Sequence, residues 1–297
     1  MGKETILRLV KHNPTRIYLA ARNEASSQKA ISEIETEVPG SASRIQFIHC
    51  DLASLKAVQA TAHAFVNLEK ERVGAAGQPR LDLLFLNAGV MAMPAGLTQD
   101  GYEIQFGTNH LGHFLLNKLL LPTLLTTAKL PAADVRVISL ASIGHIFTPP
   151  WRWIPFDSLR STMAWTPTLL RYAQSKLANI LFAKELQRRY SAQGITAVAV
   201  HPGAVDTELY RTVISTWWVV GGAVDLARRM LYLSVENGAK GQLWAATAPL
   251  GDGPEQVKGG EYYEPLGLTG LGSPLSNNAE LALKLWEWSE KEVEAYD

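Results

Sequence analysis

Five short apolar runs, at 17–21, 45–49, 81–86, 135–140 and 195–200, constrain this 297-residue chain more than any other feature. None alternates strictly between apolar and polar residues, so each reads as a strand buried on both faces, the pattern of a parallel sheet interior. Stretches with three-and-four apolar spacing separate them, at about 24–38, 54–72, 108–127 and 168–191, and read as helices. Strand alternating with helix predicts βαβ units with right-handed crossovers, hence an α/β doubly wound sheet. A last strand at 260–263 and a closing helix at 279–292 complete the pattern. Residues 74–79 read as a surface loop rather than a linker, so one domain spanning 1–297 is expected.

A hydrophobic content of 47% is enough for a sizeable core. Lys+Arg and Asp+Glu both number 28, and the balance gives no reason to expect a nucleic acid or an anionic membrane as partner. The lone Cys50 excludes an internal disulfide and suits a reducing compartment, so a cytoplasmic location is expected. No run approaches the roughly 18 apolar residues of a membrane span, and Trp217-Trp218-Val219-Val220 is far too short.

Within the 168–191 helix, Tyr172 and Lys176 lie four residues apart and therefore on one face, with β-carbons roughly 5–6 Å apart. A cation near a phenol at that range is worth roughly 3 kcal/mol, or about two pKa units, toward the range where the hydroxyl exchanges protons. Ser142 follows the 135–140 strand, at the carboxyl end where open α/β sheets place their ligands. The 81–86 strand ends in Asn87-Ala88-Gly89, and Asn109 sits near the start of the 108–127 helix. The 195–200 strand is closed by His201-Pro202-Gly203, followed by Val205 and Thr207.

This ordered set resembles the short-chain dehydrogenase/reductase family, and within it the retinol-dehydrogenase-like and WW-domain-oxidoreductase-like members common in fungi. The resemblance runs from about residue 2 to 263. It implies a Rossmann-like fold and a catalytic tetrad of Tyr172, Lys176, Ser142 and Asn109. In that scheme Tyr172 carries the proton and Ser142 hydrogen-bonds the substrate oxygen. Lys176 acidifies the phenol and holds the nicotinamide ribose, while Asn109 fixes a water in a proton relay. Gly2, Asp51, Asn87, Ala88, Gly89, Pro202, Gly203, Val205 and Thr207 match cofactor-contacting positions, together with Tyr172 and Lys176. Arg22, immediately after the second strand of that fold, suits a 2′-phosphate and so NADP rather than NAD. The implied substrate is a small apolar alcohol or its carbonyl, and family members pair as homodimers through the helices carrying Asn109 and Tyr172.

Several alternatives stay open at this stage. Ser139 rivals Ser142, although the resembled family usually has a non-catalytic asparagine at its position, and Ser142 taken alone could be a turn or capping serine. His110 and His113 could suggest a metal, but no third ligand has sensible spacing, so none is expected. The aromatics of 146–166 and 208–233 could line a substrate cleft, the second segment as a cap, or simply pack. The start of the chain matches only the last glycine of the family's phosphate loop, at Gly2, and the central first strand before it has no counterpart. An incomplete gene model or an internal start is the expected cause. A sheet without that strand faces a gap, with unpaired amides costing perhaps 1–3 kcal/mol each. A catalytically silent Rossmann-like protein acting through a partner is the competing function.

Overall fold

A computed structural model describes residues 1–74, 77–149, 154–203 and 234–297. Val205, Thr207, the 208–233 segment, Trp151 and Trp153 lie outside the described residues.

Strand β1 (Ile17–Ala21) pairs in parallel with β2 (Ile45–His49), Ile17 opposite Ile45. A second parallel sheet carries β3 (Leu83–Leu86), β4 (Val135–Leu140), β5 (Ile195–Val200) and β6 (Tyr262–Tyr263), in that order. Two strands are shorter than their apolar runs. β3 begins at Leu83 because the Leu81 N–H is spent on Thr127 Oγ1 of a neighbouring helix, at 3.0 Å. Gly260 sits at φ +81°, in the left-handed region, and confines β6 to two residues.

Burial on both faces is visible in consecutive residues. Val137 and Ala197 enter one apolar cluster, while their neighbours Ile138 and Val198 enter another, as the two-residue period of a strand requires. The first cluster joins β3 and β4 to α3 (Leu55–Val73) and α5 (Gly112–Ala128), through Phe65, Leu84, Leu115 and Leu124. The second packs β4, β5 and β6 beneath α7 (Val235–Thr247). A third seats α6 (Thr168–Tyr190) against α8 (Ala279–Val293), with Leu177 and Leu181 meeting Leu281 and Leu285.

Local signals explain the helix ends. Asn23 accepts the Ser26 N–H and so starts α2 (Glu24–Glu37), and Ser54 does the same for α3 through Ala57. The helix expected over 108–127 begins earlier, as a short α4 (Ile104–Phe106) capped by Glu103. A π-helical turn, Gly107–Leu111, then joins α4 to α5, and it carries Asn109. Single π turns of this kind collect at functional sites.

Between β1 and β3 the sheet is interrupted, for among the described residues neither strand has a partner on that side. Helix α1 (Gly2–Val10) ties the smaller sheet to the rest. Ile6, Leu7 and Val10 pack on Ile31, Ile34 and Ile45, and Thr5 bonds Gln242 of α7.

Candidate active site

On α6, Tyr172 and Lys176 share a face as their spacing requires, with the Lys176 Nζ 5.8 Å from the centre of the phenol ring. Lys176 is buried and donates to the Leu140 carbonyl at 2.9 Å, and Asn179, three residues on, donates to the same oxygen at 2.9 Å. The last residue of β4 thereby fixes α6 against the sheet. Burial disfavours the charged amine and pushes its pKa down to about 8.

The two rival serines separate here. Ser139 is fully buried and donates to the Asn179 carbonyl at 3.2 Å, so its hydroxyl is committed to packing α6. Ser142 lies past the strand end and caps the 3-10 turn Ile143–Phe147, its Oγ accepting the Gly144 N–H at 3.1 Å. A β-carbon placed on Gly144 would lie 3.3 Å from Ser142 Oγ and 3.4 Å from the Tyr172 ring. The serine hydroxyl and the phenol thus crowd one glycine.

A second glycine gathers the other pair. A β-carbon on Gly89 would stand 3.1 Å from Asn109 Oδ1 and 3.4 Å from Lys176 Nζ. Asn109 spends its amide on protein: Oδ1 accepts the Val90 N–H at 2.7 Å, and Nδ2 donates to the Val90 carbonyl and to Ser175 Oγ, each at 2.9 Å. It clamps the 89–90 turn to α6. Its main-chain carbonyl lies 3.0 Å from the His113 ring.

His110 and His113 diverge. His110 meets Ser289 Oγ at 2.9 Å and packs edge-on against Phe106 and Phe182, with burial holding its pKa down at about 3. Burial likewise lowers His113 to about 4. His201 is buried and pushed down to about 4, so its 3.7 Å approach to Glu264 joins a neutral ring to a carboxylate.

The residues present fit a nicotinamide nucleotide. Asn87 Oδ1 is buried without a hydrogen-bond partner, and Gly89 leaves an open cradle between Asn109 and Lys176. Gly203, at φ +85°, turns the chain after β5. Ala88 and Pro202 flank these glycines in sequence. Gly2 opens α1 beside Asn87, whose Nδ2 would lie 3.3 Å from a β-carbon there. Arg22 is exposed in the bend between β1 and α2, and Asp51 follows β2, its Oδ1 accepting the Ala53 N–H at 3.0 Å. Both follow strands of the smaller sheet.

Sequence reasoning passed over a buried ion pair beside the site. Glu103 accepts from Arg171 Nη1 at 2.8 Å and caps α4 through the Gln105 and Phe106 amides. Arg171 also donates to the Met93 carbonyl at 3.0 Å, pinning the loop that leaves Gly89. Neither residue stands in a motif, and only a charge at an apolar helix start hinted at it.

Residues 1–147 match the family model described as short chain dehydrogenase. A short-chain dehydrogenase/reductase from Armillaria gallica is 34% identical over 301 residues, covering 99% of this chain and 87% of the relative. The chain belongs to the short-chain dehydrogenase/reductase family. Human retinol dehydrogenase 12 is 35% identical over 292 residues, covering 97% of this chain and 81% of that protein. Among solved structures, an uncharacterized protein from Mycobacterium paratuberculosis superposes with a TM-score of 0.68 at 30% identity, covering 99% of this chain and 90% of its own. The NADPH-bound carbonyl reductase from chicken fatty liver shares the fold, at a TM-score of 0.60 and 19% identity, covering 89% of this chain and 93% of that one. Membership makes the protein an oxidoreductase of the NAD(P)-dependent kind with a Rossmann fold. Among the described residues no helix is long and apolar enough to cross a membrane.

Proposed function

We propose that the protein interconverts a small apolar alcohol and its ketone or aldehyde with NADP(H), Tyr172 moving the proton at the substrate oxygen. The observation that carries this reading is the meeting of the Ser142 hydroxyl and the Tyr172 ring over Gly144, with the Lys176 ammonium 5.8 Å from that ring. A bound nicotinamide dinucleotide supplies or takes up the hydride equivalent. Ser142 donates to the substrate oxygen as charge develops on it, and Tyr172 Oη gives or takes the proton there. Lys176, protonated below its pKa of about 8, favours the phenolate through its charge. Asn109 acts by position, holding the Gly89 turn against α6.

Arg22 supports NADP over NAD, being an exposed cation just past β1 where a 2′-phosphate is recognised. Ile146 and Phe147, in the 3-10 turn that Ser142 caps, expose apolar surface, which supports an apolar substrate. The whole chain then serves as one domain. One observation favours a silent protein instead, namely the interrupted sheet on the cofactor side.

Tyr172→Phe tests the reading. With NADPH and an apolar ketone, turnover falls by about 10²–10⁴-fold while nicotinamide affinity stays within twofold. Turnover equal to the unsubstituted enzyme removes the phenol from the mechanism.

A further inference from the structure

Building on the reading of Ser142 as the donor to the substrate oxygen, we propose that His145 is its positioning residue. Held as the neutral Nδ1–H tautomer, the His145 ring fixes the turn from which the Ser142 hydroxyl reaches that oxygen. Ala141 is still tied to the sheet, its N–H donating to the Val200 carbonyl at 2.9 Å, and Ser142 then opens the 3-10 turn Ile143–Phe147. The Ser142 carbonyl accepts twice from His145, from the main-chain N–H at 3.1 Å and from ring Nδ1 at 2.8 Å. At the other end of the ring, Nε2 accepts the Ser273 N–H at 3.1 Å. A carbonyl only accepts and an amide N–H only donates, so the proton sits on Nδ1 and the lone pair on Nε2. Burial pushes the pKa of His145 below the usual histidine value, which keeps the ring neutral. Tyr262 of β6 packs edge-on against it, 5.0 Å between ring centres.

The far end of this link leads back to the helix that carries Tyr172. Ser273 caps the 3-10 turn Pro274–Asn277. Leu275 of that turn is buried in one cluster with Leu177 and Leu181 of α6, and Lys184 of α6 donates to Asn277 Oδ1 at 3.0 Å. The His145 ring therefore joins the turn bearing Ser142 to α6 by a route that does not pass through β4. At the near end, Ser142 Oγ accepts the Gly144 N–H at 3.1 Å, which leaves the hydroxyl proton for another acceptor. Gly144 also separates Ser142 from Tyr172, with 3.3 Å to the hydroxyl and 3.4 Å to the ring from a β-carbon placed there. A turn that slips thus moves the hydroxyl relative to the phenol, and a misplacement of about 1 Å costs on the order of 10²-fold in rate.

Two substitutions separate the ends of the ring. His145→Asn keeps a donor at the Nδ1 position, whereas His145→Gln keeps a group near Nε2 and loses the donor to Ser142. Amide hydrogen exchange of Gly144, whose N–H rests on Ser142 Oγ, reads the place of the hydroxyl without any turnover. His145→Gln is expected to speed that exchange about fivefold or more. With NADPH and an apolar ketone it should lower kcat by about 10–100-fold and leave KM within about threefold. His145→Asn should recover about fivefold or more of the lost kcat and return Gly144 exchange toward that of the unsubstituted chain. In a Ser142→Ala background, His145→Gln should lower kcat by less than about twofold further, because its effect runs through a hydroxyl already removed. Nitrogen-15 NMR of the unsubstituted chain at pH 7 should find the His145 proton on Nδ1, a readout that stands even where a variant fails to fold. A proton on Nε2, or Gly144 exchange unaltered by His145→Gln, overturns the proposal. So does an equal kcat loss from His145→Gln in both backgrounds, which a merely structural residue gives, and which leaves Ser142 as the substrate donor. Undiminished turnover in Ser142→Ala alone removes that donor role and the positioning role together.

Discussion

The two sheets of this molecule solve the same folding problem to different degrees. In the four-stranded sheet the polar groups that shape the site are locked to one another: Leu140 O receives two donors, Asn109 makes three amide bonds, and Glu103 holds Arg171 and two helix amides. The two-stranded sheet keeps its order through the α1–α2 apolar contacts and, among the described residues, ends at an edge with no strand partner beside two acceptors with no hydrogen-bond partner. The difference teaches that the proton-handling apparatus is built from contacts on β4, α4–α5 and α6. Only the half expected to hold the adenosine end depends on sheet continuity.

That contrast is broken most forcefully at Glu103. Glu103→Gln leaves the buried Arg171 guanidinium without its charge partner, and urea unfolding should show a loss of about 3–5 kcal/mol. A loss under about 1 kcal/mol would mean that the larger sheet is no better locked than the smaller one.

Lys176 offers a test with two opposite signs. Burial lowers its pKa from 10.5 to about 8 in the folded state, so the unfolded chain binds more protons between those values. The contribution of this residue to stability therefore rises with pH across that window, by roughly 3 kcal/mol, and the whole penalty stands below pH 8. Activity moves the other way, since loss of the ammonium above pH 8 removes the cation beside Tyr172 and kcat/KM should fall about tenfold per unit. Comparing urea midpoints of Lys176→Met and the unsubstituted chain isolates the first effect. A flat rate profile to pH 9.5 would sink the second.

On the cofactor side, α1 offers a pyrophosphate its N-terminus, where Met1 makes no side-chain cap. A helix end alone carries about half a charge, so NADPH should bind with a Kd above about 1 µM in a nicotinamide fluorescence titration. Submicromolar affinity would show that the divided sheet grips the dinucleotide as firmly as an unbroken one. The smallest effect belongs to Arg22, which is exposed: Arg22→Glu should shift the NADPH/NADH preference in kcat/KM by about tenfold toward NADH. An unchanged ratio would move 2′-phosphate recognition elsewhere.

Much of this was legible in the chain itself. Five unalternating apolar runs specified strands buried on both faces, because runs of five or six residues are too short for a helix buried all round. The four-residue spacing of Tyr172 and Lys176 determined their common face, since helical geometry is local.

What the chain could not decide is where atoms distant in sequence spend their hydrogen bonds. The sequence favours Ser142 over Ser139 by its place past the strand end, but what each hydroxyl meets, Asn179 for one and the neighbourhood of Tyr172 for the other, comes only from the fold. Nor does the sequence show that the Asn109 side chain clamps Val90 and Ser175, a contact made from within a π turn. A cavity beside β1, lined by Asn87 and Gln242 among others, joins residues more than 150 positions apart. Such meetings follow from packing three layers together, and no local pattern of residues encodes them.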